Sequence, residues 1–132
     1  DAMIKLPLFR RLRRDERGAT VVEFAFAFPA LIVLIYMIAQ LGMVYRAVSG
    51  IQHSLGEGAR AATIWPRPSE ATIRQKMTDA VYGIGPGNFT ITTTPTATTI
   101  RLTVSYTQET SLLLFPGPTI NVSRSKLVYT VT

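Results

Sequence analysis

The chain has no cysteine, one histidine (His53) and one tryptophan (Trp65) in 132 residues. Without cysteine there is no disulfide, no thiolate metal site and no cysteine nucleophile. A single histidine cannot build a histidine-based metal cluster within one chain. Carboxylates are also sparse. Beyond Glu70 only Asp79 and Glu109 remain, and neither has a histidine or cysteine beside it in sequence. General acid–base and nucleophilic constellations therefore have few members to draw on. The chain reads as a non-enzyme with no cofactor and no metal.

The most informative absence is of charge. From Ala19 to Met43 there is no Lys, Arg or Asp, and Glu23 is the only carboxylate. As a helix this run is roughly 37 Å long, at a rise of about 1.5 Å per residue. A bilayer core needs about 20 such residues. The run reads as a transmembrane helix. A carboxylate inside it costs about 2–3 kcal/mol or more on insertion scales, so Glu23 is a candidate functional residue. Pro29 lies within the run, where it removes a backbone hydrogen bond and can kink the helix.

Net charge is +6, but its placement matters more than its size. Up to Gly18, six basic residues face three acidic ones. Beyond it, eight face five, so each part carries +3. Lys5, Arg10, Arg11, Arg13, Arg14 and Arg17 are packed into the shorter part. Basic residues directly before a span hold that end in the cytoplasm. A nucleic-acid or anionic-lipid patch has the same composition. The run abuts the span and lacks interleaved aromatics beyond Phe9, so topology is the reading taken, with no nucleic-acid partner. A secretory signal peptide is disfavoured. Its apolar region would be shorter, and here the apolar pattern continues past Ala39 and Gly42.

Beyond the span, Val44, Val48, Ile51, Leu55 and Ala62 recur at helical spacings, so the helix continues amphipathically. Gly42, Gly50, Gly56 and Gly58 each weaken it by about 1 kcal/mol relative to alanine, which predicts close packing there. Trp65-Pro66-Arg67-Pro68 ends the helix, with Trp65 expected as a core anchor. Ser69 caps a second, short helix reaching Val81, whose apolar stripe is Ile73, Met77, Ala80 and Val81. Gly83, Gly85 and Gly87 are no phosphate loop, because helix precedes them and strand follows.

Asn88 to Thr132 reads as β structure. Phe89 to Thr92 alternates, Thr94 to Thr98 turns, and Ile100, Leu102, Val104 and Tyr106 form one buried face. Leu112 to Phe115 is an apolar run that is either core or an exposed interaction patch, with core favoured. The last strand, from Ile120, places Leu127, Tyr129 and Val131 on one face, with a bulge expected near Ser123 to Ser125. Frequent threonine suits half-exposed strands, with O-glycosylation as a second reading.

One ordered set of residues resembles a known family. Basic leader, Gly18, Ala19, then Glu23 and Phe24 is similar to a type IV prepilin processing site. Gly18-Ala19, Val22-Glu23-Phe24, Pro29, Leu41-Gly42 and Glu57-Gly58-Ala59-Arg60 together resemble the TadE-like minor pilins of tight-adherence (Tad/Flp) pili. The resemblance covers about a third of the chain. It implies cleavage between Gly18 and Ala19 by a prepilin peptidase, with an extended backbone at Gly18. A free amine on Ala19 would then pair with Glu23, which with Phe24 sets subunit register. It also implies a pilin-like α+β fold, in which a long helix and a short one pack on three or four antiparallel strands. The expected organisation is a cytoplasmic leader (1–18), a transmembrane helix (19–43), its periplasmic continuation (44–65) and a small α+β periplasmic domain (66–132). The expected function is a minor pilin assembling with other pilin subunits from the inner membrane into a surface pilus. A major pilin of this type is shorter and nearly all helix. The alternative is an uncleaved single-pass envelope protein with a periplasmic partner, which leaves Gly18 and Glu23 unexplained.

Overall fold

The computed structural model describes residues 16–130, with side chains from residue 18. A 47-residue helix, α1 (Glu16–Ala62), is followed by a short helix, α2 (Glu70–Ala80). Three strands complete the chain: β1 (Asn88–Pro95), β2 (Thr99–Ser111) and β3 (Pro116–Tyr129). They form one antiparallel sheet in the order β1-β2-β3. This is the α+β, pilin-like order of elements expected from the sequence, with three strands. The chain divides after Tyr36 into two compact units.

In the first unit, α1 passes without interruption through Pro29. Proline has no N–H to offer, so the Ala25 carbonyl lacks its ordinary helical donor. Apolar side chains point outward all round, including Val21, Phe24, Phe26, Leu31 and Ile35. The most apolar window of α1 is long enough to cross a membrane, and none of it is buried within the chain.

The second unit has a core. Ala47, Ile51, Leu55, Ala59, Ala61 and Ala62 of α1 meet Ile73 and Met77 of α2 and Ile100, Leu102, Val104 and Tyr106 of β2. Each large aliphatic buried here contributes about 1.5–3 kcal/mol. Small residues let the layers approach. A Cβ on Gly58 would lie 2.5 Å from the Met77 side chain and 3.0 Å from Leu102. A Cβ on Gly50 would run into the Tyr82 carbonyl. Gly42 and Gly56, by contrast, have nothing within 4 Å, so the packing expected at all four glycines holds at two.

β2 runs back along this part of α1. Leu102 lies beside Gly58 and Ser111 beside Gln40. Between those points the helix rises about 27 Å, and the strand covers about 30 Å. The two elements therefore match in length from one anchor to the other. Ser54 Oγ donates to the Met77 carbonyl at 2.7 Å, a buried link from α1 to α2. α2 itself starts as its sequence predicts. Ser69 is extended (φ −65°, ψ 155°) and its Oγ accepts the Thr72 N–H at 3.2 Å.

Several expectations are corrected. Trp65 is 71% exposed rather than a core anchor. In β3 the inward residue is Val128, opposite Ile100, while Leu127 and Tyr129 face outward. No bulge interrupts Ser123 to Ser125; the irregularity lies between Glu109 and Ser111. From Ile120 onward the even-numbered residues of β3 thus share the core's side. Arg124 and Lys126 pair with Val104 and Leu102 yet are exposed, because β3 is the sheet edge. Leu112 to Phe115 is a loop tip joining β2 to β3, with Leu114 81% and Phe115 68% exposed, not core.

Candidate functional site in the N-terminal helix

Gly18 and Ala19 sit in the first turn of α1 and are exposed. The local backbone is helical, not extended as the sequence suggested. The reason is continuity: the helix runs on without a break from Ala19, and propagation back over the glycine is easier than a new nucleus. The commitment is weak at that end. The first four N–H groups of a helix have no intrahelical partner. A Cβ on Gly18 would meet nothing within 4 Å among the described residues. Packing therefore does not require glycine here, although it weakens the helix.

Glu23 lies one turn beyond Ala19 on the same face, the i,i+4 relation in which side chains of a helix are neighbours. It is exposed, and among the described residues it forms no ion pair. Phe24 and Phe28 repeat that spacing and stack, with ring centroids 5.7 Å apart and planes 29° apart. Phe24 remains 65% exposed, so the stacked pair presents a broad apolar surface beside Glu23. Pro29 follows Phe28 directly. Arg10, Arg11, Arg13 and Arg14 lie outside the described residues, as does the side chain of Arg17.

The second unit contributes polar structure that the sequence reading did not anticipate. Gln40 Nε2 donates to the Ser111 carbonyl at 2.6 Å, and the Ser111 N–H donates to Gln40 Oε1 at 2.9 Å. Gln40 is buried. The available signal was a lone amide in an apolar helix, which reads equally as a membrane-exit marker. Tyr106 is the largest fully buried side chain. Its hydroxyl lies 2.8 Å from the Ile84 carbonyl and 2.6 Å from Gln108 Oε1, with one proton to donate between them. Burial pushes this phenol above its ordinary value. Gly87 packs against the Tyr106 ring, where a Cβ would collide with it. That, rather than phosphate binding, accounts for the glycine. Among the described residues no group of three or more His, Cys, Asp or Glu gathers to hold a metal.

Residues 18–60 match the model of a family described as TadE-like protein. Neither a curated protein nor a solved structure matches the chain. The matched segment ends within the small-residue stretch that packs on α2 and β2, so Gly58 and Ala59 have a packing role within this chain. Among the described residues, Gly18, Glu23 and Phe24 have no such role. Over residues 18–60, about a third of its length, the chain is similar to TadE-like proteins.

Proposed function

We propose that this chain is a minor pilin, or pseudopilin, that a prepilin peptidase cuts between Gly18 and Ala19 and that then joins an adhesive Tad/Flp pilus. The observation that carries the reading is the unburied apolar part of α1, with Glu23 one turn after Ala19. Such a surface needs lipid first and other helices later. In the bilayer, acyl chains cover it. In a filament outside the bilayer, neighbouring pilin helices must.

Cleavage would place an α-amine on Ala19, about 6 Å along the axis from Glu23. The amine and the carboxylate can pair within one chain or between neighbours. Breaking a buried pair costs roughly 3–5 kcal/mol, so an uncut or misregistered subunit, which leaves Glu23 alone, is disfavoured. Phe24, stacked on Phe28, gives the same face an aromatic wedge. The basic leader holds the N-terminus in the cytoplasm and the sheet in the periplasm until assembly. The partners are then the peptidase, membrane lipid, other pilin subunits and the assembly machinery.

The test is the N-terminal residue and intact mass of the membrane-expressed chain, with and without a co-expressed prepilin peptidase. The expected result is a start at Ala19 only with the peptidase, abolished by Gly18→Arg. An uncut chain under both conditions would overturn processing and favour a permanent single-pass anchor.

A further inference from the structure

We propose that the β2–β3 loop is a lipid-contacting element, with Leu113, Leu114 and Phe115 entering the interfacial layer of the bilayer that α1 crosses. The inference rests on the reading of α1 as membrane-spanning.

Position is the first argument. The loop follows Ser111 directly, and Ser111 is held through both backbone groups by Gln40. Gln40 lies inside the charge-free run, which continues to Met43 and meets its first cation at Arg46. Ile38, Leu41 and Met43 beside it are exposed and apolar. The loop is thus fixed at the level where the helix still requires an apolar solvent.

Chemistry is the second argument. Three consecutive large apolar residues are 49%, 81% and 68% exposed at the loop tip. Exposed apolar patches of this kind mark interaction sites. Charge is distributed to match. Between Leu102 and Ser123 the only charged residue is Glu109, and the other sheet charges, Arg101, Arg124 and Lys126, lie toward the opposite end. A protein partner would more often be met by a polar rim; here the surroundings are apolar, hydroxyl or proline.

The backbone supplies the third argument. In hydrocarbon an unpaired N–H is costly, whereas in water it is not. The Leu112 N–H donates to the Phe115 carbonyl at 2.7 Å, and the Leu114 N–H to the Leu112 carbonyl at 2.9 Å. The Leu113 N–H donates to Ser111 Oγ at 3.2 Å. Pro116 and Pro118 have no N–H to satisfy. Leu113 takes a positive φ of 72° to close this arrangement, a strained conformation for leucine. Three of the four tip N–H groups, all but that of Phe115, are thus paired within the loop.

The experiment uses the full chain in vesicles of phosphatidylethanolamine and phosphatidylglycerol. Trp65→Phe with Leu114→Trp leaves one tryptophan at the loop tip, and Phe115→Trp in the same background gives a second reporter. Spin-labelled lipids then quench from headgroup depth or from the bilayer centre. Loss of most of the loop emission to the shallow label, with native Trp65 in the parent chain unaffected, is the expected result. Loop emission that stays solvent-like and unquenched overturns the proposal. So does shielding that follows protein density rather than lipid label, which would assign the loop to a second copy. Leu31→Trp in the Trp65→Phe background, read with the deep label, separates the two levels. If it is quenched while the loop is not, only the loop inference fails. If it is unquenched, the spanning reading fails as well.

Discussion

Gln40 grips Ser111 by both backbone groups, 71 residues away in sequence. The amide acts as a two-pronged clip between the middle of a helix and the end of a strand. An amide can donate and accept at once, which no ionised carboxylate or ammonium does. The residue type is therefore tied to the geometry.

Removing the clip should loosen the strand end before anything else. Gln40→Leu leaves the Ser111 N–H and carbonyl against an apolar neighbour, at an expected cost of about 1–3 kcal/mol. Gln40→Glu keeps the acceptor for the N–H but sets a carboxylate oxygen against the Ser111 carbonyl, so it should not rescue. Denaturant unfolding of the full chain in micelles reads the stability, and amide exchange at Ser111 reads the local opening. Unchanged exchange in Gln40→Leu would show that the loop is positioned by something else.

The glycines of α1 should separate by position. Gly50→Ala drives a methyl into the backbone carbonyl of Tyr82, which cannot rotate away as a side chain can. Overpacking of this kind costs typically about 1–3 kcal/mol. Gly56→Ala meets open space and should stabilise the helix by up to about 1 kcal/mol. The two variants should move the unfolding midpoint in opposite directions. A shared direction would contradict the packing described.

Tyr106 gives the fold an alkaline weakness. Its phenol is shifted upward by burial, so the folded state holds the proton more tightly than the unfolded state. That contribution is complete below the ordinary value of 10.0 and is lost as pH rises through the folded value. Tyr106→Phe removes the hydroxyl and leaves the Ile84 carbonyl and Gln108 short of a donor, at a cost of about 1–3 kcal/mol near neutrality. The stability gap between wild type and variant should narrow above pH 10. Urea melts of both chains at neutral and alkaline pH test this, and a constant gap would remove Tyr106 as the source.

Glu23 should matter to assembly and not to folding. It touches no core residue, so Glu23→Ala should leave the melt of the second unit unchanged. If the proposed pairing with Ala19 operates, the variant is still cut and inserted but is depleted from sheared pili. Glu23→Gln should resemble Glu23→Ala, since a neutral amide does not neutralise an amine. Full recovery of either variant in pili would refute the registration role.

The sequence showed most where one physical force acted alone. The charge-free run, the Ser69 cap with Ile73 and Met77 beyond it, and the alternation of Ile100 to Tyr106 each follow from a local rule, and each stands in the structure. It failed where tertiary placement decides. Leu127 and Tyr129 alternate as convincingly as Val128 fits alone, but pairing with Ile100 selects Val128. Trp65 and Leu113 to Phe115 look like core by composition, yet nothing among the described residues covers them. Gln40 gives no local sign of its clip because its partner, Ser111, is distant in sequence. Gly18, Ala19 and Glu23 were legible only as a spaced motif. The fold places no demand on them, so packing could neither reveal nor disqualify them.

If the chain is held in a membrane as proposed, the β3 edge of its sheet has a consequence. Confinement in two dimensions raises the frequency with which sheet edges meet, and an open edge is a template for strand addition. Arg124 and Lys126 stand on the core's side of β3, where a second sheet continuing the first would have to bury them beside Leu102 and Val104. Two cations in that position act as gatekeepers against runaway cross-β growth. The β3 edge is therefore guarded against backbone pairing with a second copy.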